Sequence, residues 1–379
     1  MKPIYLDYNA TTPIDREVAE DMKPYLEEHF GNPSSLHWYG IQAREAIEKA
    51  RRQVADLLNC KPEEIIFTSG GTESNNFAIK GSAYANKHKG NHIITSTIEH
   101  SAVIEVCRYL EANGFKISYL PVDKTGLIDL TELEKAITSQ TILITVMHAN
   151  NEVGTIQPIQ EISKIARKHG VIFHTDAAQS VGKIPTHVDE LGVDLLSISG
   201  HKIYAPKGVG TLFIRQEIHL EKFMHGAGHE RGMRAGTENV LEIVGLGKAC
   251  EIAKRDLEKN MAHSKAMRDR LFIGLKNKIK ETVLNGHPEK RLPNTLNVSL
   301  FGIDARFLLS GLKEIAASAG SACHAGSTSI SSVLAAMNVP PELARGTIRF
   351  STGKMTTEKE IDKAVDLLAT AVDQLRSLD

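Results

Sequence analysis

Seven short, nearly continuous apolar runs lie between residues 65 and 213, and they constrain the fold more than any other feature of the chain. The runs cover residues 65–68, 92–95, 117–120, 142–146, 171–174, 195–198 and 209–213. Strands of this kind are buried on both faces, which is typical of a largely parallel sheet covered by helices. The segments between them that have helical length and end near Gly or Asn are 72–88, 101–113 and 159–169. The pattern therefore predicts an α/β fold.

The pattern changes after about residue 238. The elements that follow are a long, charged helical region over 238–282, strand candidates at 295–300, 314–318 and 346–351, and a last helix near 357–377. A chain of 379 residues has room for two domains of about 150 residues each. We expect a large α/β domain over residues 13–250 and a smaller α+β domain built from residues 1–12 and 251–379.

Charge, cysteine content and hydropathy argue against several classes of function. The 45 Lys and Arg residues nearly balance the 46 Asp and Glu residues, which disfavours electrostatic binding of nucleic acid or of an anionic membrane. The four cysteines form no Cys-x-x-Cys pair, so neither a disulfide framework nor a structural metal site is expected. The first residues contain no apolar run of signal-peptide length, and no run of about 18 apolar residues occurs in the sequence. We expect a soluble, cytoplasmic protein that binds no metal.

A lysine follows one of the apolar runs, in the segment 197–202, which reads Ser-Ile-Ser-Gly-His-Lys. A lysine at the end of a buried strand is suited to a covalent bond with an aldehyde, because desolvation lowers its pKa and frees the amine. Lys202 is therefore a candidate Schiff-base lysine. A solvated lysine on an ordinary loop would have the same local sequence.

Two further strand ends carry residues suited to pyridoxal phosphate (PLP). Asp176 follows the run 171–174, where a carboxylate can pair with the protonated pyridine nitrogen of PLP; a helix N-cap is the alternative. Gly70 and Gly71 follow the run 65–68 and precede a helix, where backbone N–H groups can bind a phosphate. The turn is not a Walker A loop, and an ordinary capped turn would have the same sequence.

Two more polar segments follow strands of the same predicted sheet. His100 could stack on a cofactor ring, or it could be an ordinary surface or core histidine. Asn150 and Asn151 could hydrogen-bond the phenolic oxygen of the ring, or they could form a turn. Because five strand ends each present a residue type that PLP needs, the sequence predicts a PLP site at this edge of the sheet.

The chain resembles the cysteine desulfurases, PLP enzymes of the fold-type-I aminotransferase superfamily, and among them the class I branch. The resemblance runs from the segment 5–13 (Tyr-Leu-Asp-Tyr-Asn-Ala-Thr-Thr-Pro) to the last helix. The matching motifs are 31–35 (Gly-Asn-Pro-Ser-Ser), 68–75 (Thr-Ser-Gly-Gly-Thr-Glu-Ser-Asn), 174–179 (His-Thr-Asp-Ala-Ala-Gln) and 199–202 (Ser-Gly-His-Lys). The resemblance implies a large PLP-binding domain with a mostly parallel mixed sheet flanked by helices, and a smaller α+β domain.

The resemblance also implies roles for individual residues. Those implied in PLP binding are Lys202, Gly71, Thr72, His100, Asn151, Asp176, Gln179, Ser199, His201 and Thr237. Those implied in substrate binding are Arg349, Asn151 and Asn9. Lys202 would bond to PLP, Asp176 would pair with the pyridine nitrogen, and His100 would stack on the ring and move protons. Arg349 would bind the substrate α-carboxylate, for which a planar guanidinium is suited. Thr237 would reach the phosphate of a partner subunit, which implies a homodimer.

Cys323 receives a catalytic role from the resemblance, together with Lys202 and His100. Small residues surround it and a Gly/Ser-rich tract follows, so we expect an exposed, mobile loop. In the implied reaction, Lys202 removes the α-proton of L-cysteine and the Cys323 thiolate takes its sulfur as a persulfide, leaving L-alanine. An acceptor protein, for example an iron–sulfur cluster scaffold or a thiolation protein, would then receive the sulfur. The other cysteines, expected to be inert packing residues, are Cys60, Cys107 and Cys250.

Alternative activities stay open at this point. The order Ala-Cys-His at 322–324 departs from many class I members, which have a hydroxyl residue after the cysteine, and it occurs in animal selenocysteine lyases. An ordinary aminotransferase would also use Lys202 and Asp176 but would have no use for a loop cysteine. A non-enzymatic protein on the same fold would be expected to have a broken site, whereas the full set of cofactor residues is present.

Overall fold

The structure is a computed structural model, and residues 3–319 and 330–377 are described. The strands are β1 (Ile4–Tyr5), β2 (Ile65–Thr68), β3 (His92–Ser96), β4 (Lys116–Leu120), β5 (Thr141–Thr145), β6 (Ile172–Asp176), β7 (Leu195–Ser199), β8 (Gly210–Ile214), β9 (Thr282–Leu284), β10 (Thr295–Leu300), β11 (Ile315–Ala316), β12 (Ser318–Ala319) and β13 (Thr347–Ser351). The helices are α1 (Arg16–Glu27), α2 (Trp38–Leu58), α3 (Gly71–Ala85), α4 (Ser101–Ala112), α5 (Leu130–Ala136), α6 (Ile159–His169), α7 (Val188–Leu191), α8 (Val240–Arg255), α9 (Leu257–Lys278), α10 (Ala305–Gly311), α11 (Ser332–Ala336), α12 (Pro341–Arg345) and α13 (Glu358–Arg376).

The largest sheet has seven strands in the order β2-β8-β7-β6-β5-β3-β4. The pairs among β4, β3, β5, β6 and β7 are parallel, and β8 is antiparallel to both of its neighbours, β2 and β7. Strand β2 therefore runs in the same direction as β7, and the carboxyl ends of all strands except β8 meet at one edge. The prediction of a mostly parallel mixed sheet is confirmed, and so is the position of every predicted strand in it.

Alternate residues of these strands pack on opposite faces of the sheet, as the two-residue period of a strand requires. In β2, Ile65 and Phe67 belong to the apolar core that includes α2 and α8. Ile66, between them, packs instead with Phe77 of α3 on the other face. Because both faces are covered by helices, the strands are apolar along their whole length, which explains the continuous runs in the sequence.

A second core forms around the C-terminal elements and the N-terminal strand. A four-stranded sheet has the order β12-β13-β10-β9, and β1 pairs in parallel with β11. Ile4 and Leu6 pack in this core with Val298, Phe350 and Leu368. Helix α11 contributes instead to the large core, through side chains such as Val333. The domain bounds at residues 12 and 250 stay a prediction.

Two predicted elements are divided in the structure. The helical region 238–282 consists of α8 and α9, separated at Asp256, whose backbone leaves the helical conformation (φ −107°, ψ 10°). The strand candidate 314–318 consists of β11 and β12, which belong to different sheets, because Ile315 pairs with Ile4 whereas Ser318 pairs with Arg349.

None of the described helices is long and apolar enough to cross a membrane.

Candidate active site

A cavity of about 490 Å³ lies at the edge where the parallel strands end. It brings together most of the predicted site residues, which are Asn9, Gly71, Thr72, His100, Asn151, Asp176, Gln179, Ser199, His201, Lys202 and Arg349. Thr237 is exposed and is not part of the lining. Cys323 lies outside the described residues. Side chains that are up to 340 positions apart in the sequence therefore share one cavity.

Asp176, the last residue of β6, presents a buried carboxylate to the cavity. Its Oδ2 accepts a hydrogen bond of 2.6 Å from Nδ2 of Asn75, in the second turn of α3. Its Oδ1 accepts a hydrogen bond of 2.9 Å from the N–H of Ala178. The second contact closes a turn, and no helix begins at Asp176, since the next helix is α7. The helix N-cap considered as the alternative for this residue is therefore wrong, and the carboxylate lines the cavity. The Asn75 Oδ1 atom is buried and has no hydrogen-bond partner among the described residues.

The turn between β2 and α3 can accept an anion. Gly70 has φ +148°, a conformation that L side chains rarely adopt. A Cβ on Gly71 would lie only 3.1 Å from the Cβ of Ser199 at the end of β7. Helix α3 has 15 residues, and its first N–H groups have no helical acceptor. The two glycines thus let the helix start come close to Ser199, and the free donors can bind a phosphate.

His201 lies beside this turn in a short 3₁₀ helix, Gly200–Lys202, that follows β7. Its Nδ1 lies 3.2 Å from Oγ1 of Thr11. Burial, with the added effect of the nearby positive charge of Lys202, lowers the pKa of His201 to about 4. The imidazole is therefore neutral at pH 7 and acts as a polar group rather than as a cation.

Lys202 ends the same 3₁₀ helix. Its Nζ donates hydrogen bonds of 2.7 Å to the backbone carbonyls of Asn9 and Ala10. The following loop is held by Thr12, whose Oγ1 accepts a hydrogen bond from the N–H of Tyr204. Tyr204 has φ +67°, a strained conformation that these surrounding contacts stabilise. The N-terminal segment therefore fixes the position of the lysine, although 190 residues separate the two in the chain.

His100 caps the N-terminus of α4, with its Nδ1 accepting a hydrogen bond of 3.1 Å from the N–H of Ala102. A nitrogen that accepts carries no proton, so the proton of the neutral ring is on Nε2. Burial lowers the pKa of His100; the charge of Lys202 acts in the same direction and that of Asp176 opposes it. The ring is neutral at pH 7 and has one N–H to donate.

Arg349 lies in the middle of β13 and is only 4% exposed. Its Nη2 donates to Oδ1 of Asp7 at 2.7 Å and to Oγ of Ser318 at 2.9 Å. Its Nη1 donates to the backbone carbonyl of Asn151 at 3.2 Å. The Nε atom is buried and has no hydrogen-bond partner in the described part of the chain. A guanidinium at a cavity wall with a donor to spare can bind a carboxylate.

The two asparagines that follow β5, Asn150 and Asn151, have different roles. Asn150 forms the turn that was considered as the alternative, because its Oδ1 accepts hydrogen bonds from the N–H groups of Glu152 and Val153. Asn151 lines the cavity. Its backbone carbonyl also accepts a hydrogen bond of 3.2 Å from Nδ2 of Asn9.

The three described cysteines lie away from this cavity. Cys107 and Cys250 are buried and Cys60 is partly buried. Burial raises the pKa of Cys60 and of Cys107 to about 12, and it raises that of Cys250 as well. Since the thiolate is the reactive form, these thiols are unreactive at neutral pH, as the sequence analysis expected.

Three residues that support the site, Asn75, Asp7 and Lys183, were not predicted from the sequence. Asn75 lies in the motif 68–75, but nothing in that motif indicates that its side chain contacts Asp176. Asp7 pairs with Arg349 across 342 positions. Lys183 donates a hydrogen bond of 2.6 Å to Oε1 of Gln179. Its position, four residues after the predicted cofactor residue Gln179, is the feature of the sequence that could have indicated this contact.

The donor set fits PLP. One end of the cavity has free helix N–H groups, Ser199 and a neutral imidazole for a phosphate. The middle has a buried carboxylate for a pyridinium nitrogen, and an amine for an aldehyde. A mostly parallel α/β sheet with these groups at its carboxyl edge defines a PLP-dependent enzyme of fold type I.

The chain belongs to the class-V aminotransferase family, whose model matches residues 4–364. The cysteine desulfurase IscS of Dictyoglomus turgidum is 51% identical over 379 residues, which cover 100% of this chain and 96% of that protein. A solved NifS-like protein aligns with a TM-score of 0.92 and 41% identity, over 98% of this chain and 100% of that one. A structure of SspA in complex with cysteine aligns with a TM-score of 0.84 and 39% identity, over 93% and 100% of the two chains. The predicted fold class, PLP cofactor and resemblance to cysteine desulfurases are confirmed.

Proposed function

We propose that this chain is a cysteine desulfurase that converts L-cysteine to L-alanine and transfers the sulfur, through its own cysteine, to an acceptor protein. One observation carries the proposal. The amine of Lys202, the carboxylate of Asp176 and the guanidinium of Arg349 line one cavity in a chain that is similar along its whole length to cysteine desulfurases.

One end of the cavity has the groups that suit the cofactor. PLP, when bound, supplies an electron sink for the electrons of a bond broken at the substrate α-carbon. Lys202 would hold the cofactor covalently, and the Asp176 carboxylate would keep a proton on the pyridine nitrogen. The residues that would bind the phosphate are Gly71, Thr72, Ser199 and His201, with Thr72 at the helix start. His100 would stack on the ring, and Gln179 and Asn151 would hydrogen-bond its phenolic oxygen or the substrate.

The substrate end follows from Arg349. Its guanidinium binds the α-carboxylate, and because Asp7 and Ser318 already fix the Nη2 end of the guanidinium, little conformational entropy is lost on binding. Asn9 lines the same end. With the substrate held there, the amine of Lys202 removes the α-proton, and the neutral His100 can donate its Nε2 proton.

Sulfur transfer requires a thiolate. We assign it to Cys323, because the other three cysteines are away from the cavity and have raised pKa values. The Cys323 thiolate attacks the substrate sulfur; the substrate C–S bond breaks, an S–S bond forms on Cys323, and protonation of the remaining carbon gives alanine. The persulfide then passes to an acceptor of an iron–sulfur or thiolation pathway, in the cytoplasm.

A homodimer is part of the proposal. An exposed apolar segment over residues 26–39 includes Phe30 and Leu36, which are 79% and 85% exposed, and patches of this kind mark protein interfaces. Thr237 is exposed on the segment that begins with Arg234, and Arg234 forms an ion pair of 2.9 Å with Glu73 of α3. A second copy would cover the apolar segment and receive Thr237 at its phosphate site. Light scattering of the parent and of Phe30→Glu tests this: the parent is expected to be a dimer, and a monomeric parent would contradict it.

Product analysis tests the proposed activity. Holoenzyme with L-cysteine and a reductant is expected to form equal amounts of alanine and sulfide and no keto acid. Keto acid formation would instead identify an aminotransferase. Turnover with selenocysteine but not with cysteine would identify a selenocysteine lyase, the activity that the Ala-Cys-His order at 322–324 favours as second candidate.

A further inference from the structure

Lys183 is a second lysine near the cavity. It lies in the turn after β6, four residues from Gln179, and it is partly buried. Its Nζ donates hydrogen bonds to Oε1 of Gln179 at 2.6 Å and to Oδ1 of Asn9 at 3.2 Å. The two side-chain carbonyls on which it converges belong to residues that line the PLP cavity.

The contact with Gln179 determines which end of that amide faces which partner. An amide has one carbonyl oxygen and one NH₂ group. With Oε1 accepting from Lys183, the NH₂ group is left as the donor, and its Nε2 donates to the backbone carbonyl of Asn9 at 3.0 Å. The same group carries a second N–H, and Gln179 lines the cavity. Lys183 thereby makes Gln179 a donor toward the cavity.

Lys183 and Lys202 meet at the same residue. Lys202 Nζ donates to the backbone carbonyl of Asn9, and Lys183 Nζ donates to the side-chain carbonyl of Asn9. The remaining groups of the Asn9 side chain are also engaged, since Oδ1 accepts from Nδ2 of Asn294 at 2.9 Å and Nδ2 donates to Oγ1 of Thr295 at 2.8 Å. Asn9 is therefore a rigid connection between the two lysines.

Lys183 has charged and titratable neighbours on the elements packed against it. Lys202 and the neutral His201 face it from the 3₁₀ helix, and Arg349 faces it from β13. Burial, with the added effect of the positive charges of Lys202 and Arg349, lowers the pKa of Lys183 well below its usual value. Tyr204 and Lys354 line two cavities of about 30 Å³ that Lys183 and Lys202 also line, and Asp15 lines one of the two. Each cavity can hold a water molecule.

We propose that Lys183 is a positioning residue for the cofactor: it holds the Gln179 amide with its NH₂ group toward the PLP cavity, and so stabilises negative charge on the ring oxygen that Gln179 serves. This inference rests on the proposed function. Without Lys183, the amide can turn its carbonyl toward the cavity, and the ring oxygen loses a donor. Loss of that donor favours the protonated form of the bound cofactor.

The test is a pH titration of the visible absorbance of holoenzyme. Lys183→Met is expected to keep bound PLP and to raise the midpoint of the absorbance change by at least about 0.5 pH unit. Lys168→Met, on the exposed side of α6, is the control and is expected to leave the midpoint unchanged. If Lys183→Met does not fold, Lys183→Gln is titrated in its place.

A double variant distinguishes positioning from an independent effect. Because Lys183 acts through Gln179, the midpoint of Gln179→Ala/Lys183→Met is expected to equal that of Gln179→Ala alone. An unchanged midpoint in Lys183→Met, or a shift that adds fully to that of Gln179→Ala, would overturn the inference. Parent protein that binds no PLP would instead overturn the proposed function.

Discussion

The carboxylate of Asp176 and the side-chain amide of Asn75 are joined by a hydrogen bond of 2.6 Å. The contact connects the end of β6 to the second turn of α3, so the predicted pyridine site and the predicted phosphate turn are held in one geometry. Both side chains are buried, and a hydrogen bond to a buried charged group is stronger than one between neutral groups.

Asn75→Ala should therefore weaken both the fold and the cofactor site. Removal of a donor to a buried carboxylate is expected to lower the free energy of unfolding by about 1.5–3 kcal/mol, and to weaken PLP binding, measured by equilibrium dialysis. Asn76→Ala is the matched control, because that amide donates to the carbonyl of Thr72 in its own helix and not to Asp176. Equal losses in the two variants would contradict a special role for Asn75.

A buried ion pair anchors the segment that leads to Thr237. Arg51 of α2 donates to both carboxylate oxygens of Glu230 at 2.8 and 2.9 Å, and Glu230 also accepts from the N–H of Phe67. Arg51→Met leaves a buried carboxylate without its cation and should lower the free energy of unfolding by about 3–5 kcal/mol. Breaking the exposed pair of Arg16 and Glu20 with Arg16→Ala should cost less than about 0.5 kcal/mol. A loss below about 1 kcal/mol in Arg51→Met would refute this assignment.

The acid stability of the protein should depend on His174. Burial lowers the pKa of this imidazole, which lies between Thr145 and Ser197, to about 3. The folded state keeps it neutral while the unfolded state binds a proton below about pH 6.5. Stability is therefore present above that pH and is lost as the pH falls from about 6.5 toward 3.

His174→Asn removes this difference in proton uptake. Between pH 6 and 4.5, the free energy of unfolding of the variant should fall less steeply than that of the parent, by about 1.4 kcal/mol per pH unit. Urea denaturation across this range measures the slope, which is independent of any constant loss caused by the substitution. Identical slopes would mean that His174 is protonated in the folded protein.

Thiol labelling should single out one cysteine. At pH 8, a thiol with a pKa of about 12, as for Cys60 and Cys107, has a thiolate fraction of about one in ten thousand. Brief treatment of the folded enzyme with iodoacetamide should therefore label Cys323 alone, as read by peptide mass spectrometry, and should abolish sulfide release. Labelling of Cys250 with loss of activity would contradict the assignment of Cys323.

The large sheet could be predicted because the sequence pattern that marks its strands is local. Strands buried on both faces are continuous apolar runs, and the polar residues at their ends, such as Asp176 and His100, follow directly in the sequence. The break at Asp256 was not predictable, because the two helices around it carry similar charged sequence. Nor was the division of 314–318, which depends on pairing of Ile315 with Ile4, far away in the chain.

The supporting contacts of the site were not predictable for the same reason. The role of Arg349 was predicted only from a family motif. Its partner Asp7 lies 342 residues away, and no local sequence pattern indicates a contact over that distance. Asn9 was expected to contact substrate, and the structure adds that it accepts from both Lys183 and Lys202. The arrangement of these lysines depends on three-dimensional packing and not on local pattern.

Because Lys183 and Lys202 both donate to Asn9, the role assigned to Lys202 is tested best by locating the cofactor bond. Holoenzyme is reduced with borohydride, digested, and its peptides are mapped by mass spectrometry. The cofactor mass is expected on Lys202. Lys202→Ala is expected to retain no reducible cofactor, whereas Lys183→Met is expected to retain it. Attachment of the cofactor to Lys183, or fixation in Lys202→Ala, would contradict the role assigned to Lys202.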